Sequence, residues 1–202
     1  MGLREQKKQK AQDSILQNAG NLFLTKGYLG TTLEEIAARA EIGVGTLYNY
    51  YDSKAEVFLA VMADKMDFSV EEIDGLLGDA ETDVVDLILK FIREASKPFL
   101  LISNEIWQEL ISAALGVTKP GNVLLQRLIQ VDNQFMSQLE KCFEHLINQG
   151  AIASNYPAKQ AAGVIYSIIL SQFLFYVYDK GMTEEQFIYS TEAQITFVLQ
   201  SK

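Results

Sequence analysis

The stretch TTLEEIAARAEIGVGTLYNYYDSKAEVF, residues 31–58, decides the fold of the N-terminal part of this chain. Four apolar residues recur at helical spacing in its first half: Leu33, Ile36, Ala37 and Ala40. Thr32 with Glu35 three positions later forms a capping box, which sets the start of this short helix. The turn at residues 41–43 separates it from a second short helix over residues 44–51. Two short helices connected in this way predict a helix-turn-helix.

The second of these helices has two chemically different sides. One side carries larger apolar and aromatic residues: Val44, Leu47, Tyr48 and Tyr51. The other side carries small or polar residues: Gly45, Thr46, Asn49 and Tyr50. The first set can pack on the neighbouring helices, and the second offers the short hydrogen-bonding groups that read base edges in the DNA major groove. The periodicity fits a small helical subdomain with an idle polar face equally well.

Helical periodicity continues on both sides of this stretch. A preceding helix is indicated by an apolar stripe that ends near Gly27: Ile15, Ala19, Leu22 and Phe23. Ser53 with Glu56 is a second capping box and opens a fourth helix, and Thr183 with Gln186 is a third, before the last helix. Longer helices are predicted at 82–97, 101–115, 121–149, 158–180 and 184–200. The predicted fold class is all-α, with an N-terminal three-helix head and a larger helical domain, about nine helices in total.

The charge is unevenly divided along the chain. Residues 1–60 hold seven of the 17 Lys and Arg residues and seven of the 26 Asp and Glu residues, so the net charge of −9 arises entirely beyond residue 60. Within the head, the first ten residues, MGLREQKKQK, form a basic tip without an apolar stretch. We therefore expect no secretory signal. Charge alone does not distinguish a nucleic-acid contact from an ordinary solvated N-terminus.

The cysteine and histidine content limits the possible chemistry. The single cysteine, Cys142, permits no internal disulfide, which is typical of a reducing compartment. One cysteine and one histidine, His145, do not suffice for a protein-only zinc site of the usual four-ligand kind. We therefore expect no metal and no cofactor, and a cytoplasmic location.

Residues 31–58 closely resemble the DNA-binding head of TetR-family transcriptional regulators. The matching positions are Thr32, Leu33, Ile36-Ala37, Gly45-Thr46-Leu47-Tyr48, Tyr50-Tyr51 and Ser53-Lys54. The chain departs from the family pattern at Glu41, where a turn glycine is frequent, at Gly43, where Ser or Thr is common, and at Tyr51, which replaces Phe. The resemblance says little about residues beyond 70, although length and helix order agree.

The resemblance implies a role for each matching position. Thr32 would hold a DNA phosphate at a helix N-terminus. Val44, Gly45 and Thr46 would approach base edges, Tyr48, Tyr50 and Lys54 would bind phosphates, and Asn49 would do either. The implied domains are a DNA-binding domain at 9–69, with its helix-turn-helix at about 32–51, and an effector-binding and dimerisation domain at 70–202. The implied function is a ligand-responsive regulator, most often a repressor, that leaves a palindromic double-stranded DNA operator when a small, largely apolar effector binds.

The second domain is rich in aromatic residues that suggest an effector pocket. Its predicted lining is Trp107, Phe91, Phe99, Phe135 and Tyr166. Core filling is the plainer interpretation for most of them individually. Three acids, Glu105, Glu109 and Asp132, would favour a cationic ligand if they pointed inward, although acids are more often solvated.

Residues 161–178 contain no charged residue, which leaves two interpretations of this helix. A membrane span is near the lower length limit, but Ser167, Ser171, Gln172 and three tyrosines interrupt the stretch. A helix apolar on nearly every side also fits one that packs on its own domain and on a second subunit. We predict the second, a homodimer through the last two helices and no membrane, with contacts from Ile169, Phe173, Tyr176 and Phe197. On this prediction, Phe173→Glu would yield monomers.

A helical small-molecule-binding enzyme without a DNA role is the alternative function. The sequence suggests no Ser-His-acid grouping and no metal cluster. Gly43-Val44-Gly45 does not match a dinucleotide-binding pattern, because Tyr48 stands at the position of its last glycine. We therefore predict that the chain is not an enzyme.

Overall fold

The computed structural model of this chain describes residues 2–65, 68–77, 83–116 and 122–200. Within these ranges the regular structure consists of ten α-helices and one 3-10 helix, without a strand, which confirms the all-α fold class. The helices are α1 (Leu3–Lys26), α2 (Leu33–Arg39), α3 (Val44–Tyr48), α4 (Lys54–Lys65), α5 (Val70–Leu77), α6 (Val84–Ser96), α7 (Asn104–Gly116), α8 (Val123–Asn148), α9 (Ala158–Tyr178) and α10 (Glu184–Gln200), with the 3-10 helix at Lys97–Leu101. The predicted break at 117–121 and the predicted helix start at 82 lie outside the described residues.

The first compact unit comprises Met1–Lys65 and Leu110–Val131. Within it α1 packs on α2 and α4, and α2 packs on α3. The stripe predicted on α1 is buried, with Ile15 and Ala19 fully excluded from solvent. Phe23, Tyr28 and Phe58 surround one another with ring centroids 5.2–5.8 Å apart. This aromatic cluster joins the end of α1 to α4.

The predicted capping boxes are present at the starts of α2 and α10. Thr32 Oγ1 accepts a hydrogen bond from the Glu35 backbone N–H at 3.2 Å, and Glu35 Oε2 accepts one from the Thr32 N–H at 3.2 Å. Thr183 and Gln186 exchange the same two bonds at the start of α10. Before α4, Ser53 caps the Glu56 N–H, but the Glu56 carboxylate accepts from Asp52. Local sequence thus sets these boundaries, since each cap satisfies backbone donors that a helix start leaves open.

The second compact unit comprises Met66–Glu109 and Asp132–Lys202. Within it α9 packs along α10, and α6 packs on α5 and α10. Arg93 on α6 forms an ion pair with Glu192 on α10. Helix α5 is absent from the sequence-based prediction, which places no helix between the fourth helix and residue 82. Ser69 and Glu72 form a capping box before α5, which is the signal that identifies it.

The turn between α2 and α3 holds a strained residue. Glu41 has a φ of 56°, in the left-handed region, at the position where the family often has glycine. A non-glycine residue in this conformation destabilises the folded chain by about 1–2 kcal/mol. Glycine would relieve this strain, but it loses more conformational entropy on folding, so the net gain in stability is smaller.

Replacing Glu41 by glycine is therefore expected to raise the free energy of unfolding by about 0.5–1 kcal/mol. Urea unfolding followed by circular dichroism measures the change. Glu34→Gly is the matched control, since Glu34 lies in helical conformation on α2. This control should lower stability by about 1 kcal/mol. Equal losses from both variants would contradict strain at Glu41.

Candidate nucleic-acid interface

Helix α3 presents a polar surface while two residues anchor it. Leu47 is fully buried and Tyr51 is 1% exposed, whereas Gly45, Thr46, Tyr48 and Asn49 are exposed. Val44 and Tyr50 are half-buried. The placement of Tyr48 differs from the prediction, since 48% of it is exposed although the spacing put it on the packing side. Of the predicted packing side, Leu47 and Tyr51 are buried, whereas Tyr48, the last residue of α3, is turned to solvent.

Backbone hydrogen bonds hold α3 tightly against the turn that precedes it. The Ile42 N–H donates to the Ala37 carbonyl at 3.0 Å, and the Leu47 N–H donates to the Gly43 carbonyl at 3.1 Å. The Tyr51 N–H then donates to the Leu47 carbonyl at 3.1 Å. These bonds orient the exposed polar side chains of α3 without using them, so those groups stay available to a ligand.

Thr32, the first predicted phosphate contact, is exposed at the N-terminus of α2. Its hydroxyl oxygen accepts the capping bond from Glu35, which leaves the hydroxyl hydrogen to be donated elsewhere. The Lys26 ammonium pairs with the Glu35 carboxylate and, as the largest contribution, lowers the pKa of Glu35. The capping carboxylate is therefore neutralised locally, which reduces its repulsion of an approaching phosphate.

Lys54, the last predicted phosphate contact, has a structural role that the sequence does not indicate. Its ammonium donates to the Tyr28 carbonyl at 2.8 Å and to the Thr31 carbonyl at 2.9 Å, and it lies 4.4 Å from the centroid of the Tyr28 ring. Burial lowers the pKa of Lys54. Two of its three N–H groups thus close the turn between α1 and α2, and the phosphate contact remains a prediction that concerns the third.

Four of the five aromatic residues predicted to line a pocket lie in one cluster of the second unit. Trp107 is 2% exposed, stacks on Phe99 at 5.9 Å and donates its indole N–H to the Phe99 carbonyl at 2.8 Å. The ring centroid of Phe135 lies 6.1 Å from that of Phe99 and 6.1 Å from that of Tyr166. The Phe91 ring instead packs edge-on against Phe68, with their ring centroids 5.6 Å apart. These side chains pack against one another, as the core-filling interpretation expects.

Of the three acids considered for a cationic ligand, Asp132 alone is shielded from solvent. Glu105 and Glu109 are exposed, whereas Asp132 is half-buried beside the Tyr166 hydroxyl. Burial raises the pKa of Asp132, and the hydroxyl opposes this rise in part. Burial, and next the Asp132 carboxylate, raise the pKa of Tyr166. The Asp132–Tyr166 pair thus places an ionisable carboxyl group beside the aromatic ring of Phe135.

A raised pKa means that folding favours protonated Asp132, so this residue contributes stability at low pH that is lost as pH rises above about 4. Asp132→Asn cannot ionise, and its stability relative to the natural chain is expected to increase from pH 4 to pH 7. Urea unfolding at several pH values measures the difference. Glu105→Gln is the matched control with the opposite trend, because the Ser103 side chain lowers the pKa of Glu105. Parallel pH profiles for the natural chain and Asp132→Asn would contradict the prediction.

One face of α9 and α10 is apolar and open to solvent. Its large exposed residues are Val164, Phe175, Tyr178, Tyr189 and Phe197. A groove of about 530 Å³ runs between the two helices on this face, with Ile168 and Ala193 in its wall. Sequence reasoning named only Phe197 of this set, although the residues repeat at helical spacing along both helices.

Two residues predicted for a dimer contact lie in the protomer's own core instead. Ile169 and Phe173 are each 9% exposed. Phe173 meets Trp107 edge-on at 5.1 Å and Phe99 at 5.9 Å. Tyr176 is half-buried and stacks on Phe187 at 5.1 Å. A helix that is apolar all round has two apolar faces, and its spacing does not reveal which one faces its own core.

The length and composition of Ala158–Tyr178 would allow it to cross a membrane, and one third of its apolar window is buried inside the chain. Since core helices of soluble proteins meet the same criteria, this observation is weak support for a membrane span.

Metal and thiol chemistry find little support in the described ranges. No group of three metal-ligating side chains occurs among residues 2–65, 68–77, 83–116 and 122–200. Cys142 is fully buried, and burial raises the pKa of its thiol to about 12. A thiol so rarely ionised is a poor nucleophile.

Comparison with known proteins agrees with this geometry. The sequence model of "Bacterial regulatory proteins, tetR family" matches residues 15–61. The HTH-type transcriptional regulator SrpR of Pseudomonas putida is 25% identical over 166 residues, 80% of this chain and 72% of that protein. The negative transcriptional regulator IcaR of the Staphylococcus epidermidis biofilm operon icaADBC is 45% identical over 47 residues, 23% of this chain and 25% of its own.

Among solved structures, FadR of Thermus thermophilus, a TetR-family transcriptional repressor in complex with lauroyl-CoA, superposes with a TM-score of 0.62. It is 20% identical, and the superposition covers 94% of this chain and 93% of that one. At this identity the likeness concerns the fold.

The anchored α3 with its exposed polar side, placed after α2 and a short turn, defines a helix-turn-helix DNA-binding protein. Among helix-turn-helix proteins, the fold and the similar proteins both indicate a transcriptional regulator. Residues 15–61 match the TetR family of bacterial regulatory proteins, and 80% of the chain is similar to the transcriptional regulator SrpR.

Proposed function

We propose that this regulator is a homodimeric repressor that binds a palindromic DNA site through two copies of α3. The proposed contacts are Thr32, Val44, Gly45, Thr46, Tyr48, Asn49, Tyr50 and Lys54. The observation that carries the proposal is the division of α3 into a buried anchor, Leu47, and exposed groups of the size that base edges and phosphates require. Repression is favoured because IcaR and Thermus thermophilus FadR are both described as negative regulators.

Selection of bound duplexes from a random-sequence pool tests this proposal without knowledge of the operator. The purified protein should enrich an inverted repeat whose half-sites are centred about one helical turn apart. Thr46→Ala and Asn49→Ala should each weaken binding to the selected duplex by roughly 5- to 100-fold. Thr25→Ala, an exposed threonine on α1, is the matched control and should bind like the natural chain. Failure to enrich any sequence would refute the proposal.

The dimer is proposed to form through the exposed face of α9 and α10. A two-fold axis would bring the apolar residues of one copy onto the same residues of the other, which is how an isologous contact forms. Burial of such a patch removes apolar surface from water at about 25 cal/mol per Å². It also explains the long apolar α9 without a membrane, in agreement with a cytoplasmic regulator.

The proposed effector is a small, largely apolar molecule bound by the second domain, residues 70–202. The lauroyl-CoA of Thermus thermophilus FadR carries several phosphate charges. Residues 61–202 of this chain contain 10 Lys and Arg against 19 Asp and Glu, a balance that disfavours such an anion. We therefore propose an uncharged or cationic effector.

Thermal unfolding with three probes of similar chain length tests the effector proposal: dodecanol, dodecylamine and lauroyl-CoA. A ligand that binds the folded state raises the unfolding temperature. We expect a rise with dodecanol or dodecylamine below their micelle concentrations, and release of the selected duplex by the same probe. A rise with lauroyl-CoA alone would refute the charge argument.

A further inference from the structure

The N-terminal part of α8 brings the Arg127 guanidinium against Tyr51, the residue that anchors the end of α3. The Arg127 Cζ lies 5.5 Å from the centroid of the Tyr51 ring. Tyr51 is 1% exposed, and its hydroxyl accepts a hydrogen bond from Gln12 Nε2 at 3.3 Å. All three residues belong to the first compact unit. Tyr51 is thus held by α8 from one direction and by α1 from another.

The contact between Arg127 and Tyr51 is largely shielded from water. Arg127 is half-buried, its Nη1 donates to Gln130 at 3.0 Å, and its buried Nε has no acceptor among the described residues. A guanidinium over a tyrosine face is attracted by the negative charge of the ring face, and exclusion of water strengthens this attraction. The attraction to the Tyr51 ring therefore offsets part of the hydration that the Arg127 guanidinium loses on burial.

Tyr51 in turn determines how α3 is presented. Its N–H donates to the Leu47 carbonyl, and with Leu47 it supplies the buried anchor of α3. A shift of the Tyr51 ring would rotate the exposed Thr46 and Asn49 relative to the head. We infer that Arg127 is a positioning residue for DNA recognition, which acts through Tyr51 and does not touch DNA. This inference rests on the proposed DNA contacts of α3.

The test compares Arg127→Met with Arg127→Lys on the duplex that the natural chain selects. Arg127→Met keeps an unbranched apolar stem and removes the charged, planar guanidinium. We expect it to raise Kd by roughly 3- to 10-fold, a part of the roughly 30-fold effect that a fully desolvated cation–π contact can have. Arg127→Lys keeps a cation without the planar group, so its Kd should lie between those of the natural chain and Arg127→Met. Arg93→Met is the matched control, since Arg93 pairs with Glu192 in the second unit, and its Kd should change less than two-fold.

Two further readouts separate positioning from other roles. The slope of log K against log salt should stay unchanged in Arg127→Met, whereas a slope smaller by about one would mean that Arg127 itself binds a phosphate and would overturn the inference. Measurement well below the unfolding temperature keeps every variant folded, so a merely structural role would leave Kd unchanged, which also overturns it. If Arg127→Met does not fold, Arg127→Lys against the control decides by the same Kd criterion. A natural chain that selects no duplex refutes the proposed function instead.

Discussion

Phe197→Glu is expected to convert the regulator into monomers and to weaken operator binding by at least about 100-fold. Phe197 is 73% exposed on the apolar face of α9 and α10, so glutamate costs little in the protomer. In an isologous dimer each substitution occurs twice, and the two carboxylates would lose their water within one interface. A separated head would have to bind each half-site alone, without the effective concentration that its partner provides.

Sedimentation measures the oligomeric state, and titration of the selected duplex measures the affinity. Leu101→Glu is the matched control, because Leu101 is 53% exposed in the same unit but lies on the 3-10 helix. It should remain dimeric. Phe173→Glu should unfold the protomer rather than separate two folded copies, since Phe173 lies against Trp107 in the core. A Phe197→Glu protein that stays dimeric and binds DNA normally would rule out this face as the interface.

Trp107→Ala is expected to lower the free energy of unfolding by about 3–5 kcal/mol, the range found when a large aromatic residue is removed from a packed core. The indole contacts Phe99 and Phe173, and its N–H bond to the Phe99 carbonyl is lost as well. Such a loss would consume a large share of the 5–15 kcal/mol that usually stabilises a protein.

Urea unfolding followed by circular dichroism measures this change. Leu101→Ala, at an exposed position nearby, should alter stability by no more than about 0.5 kcal/mol. A loss below about 1.5 kcal/mol for Trp107→Ala would mean that the surrounding side chains collapse easily or leave space beside the indole. That result would favour an effector cavity at Trp107 over a filled core.

Local signals in the sequence predicted much of the head. The capping pairs at Thr32 and Thr183 determined helix starts because a cap satisfies donors within three residues and needs no distant partner. The stripe through Ile15 and the family motif around Thr46 were sufficient to predict the helix-turn-helix. Helix α5 was missed, although the capping pair of Ser69 and Glu72 marks its start.

The sequence was sufficient to predict the α-helical class, the helix-turn-helix and the resemblance of the head to a family of DNA-binding regulators, since periodicity, caps and motif residues are local properties. The tertiary structure decided which apolar side faces inward: Phe173 lies in the core, Phe197 at the surface, Tyr48 outside and Tyr51 inside. It also decided the partners of Lys54, which lie 26 and 23 positions earlier in the chain, and the contact of Arg127 with Tyr51. Such partners depend on how distant segments pack, and no spacing within one helix encodes them.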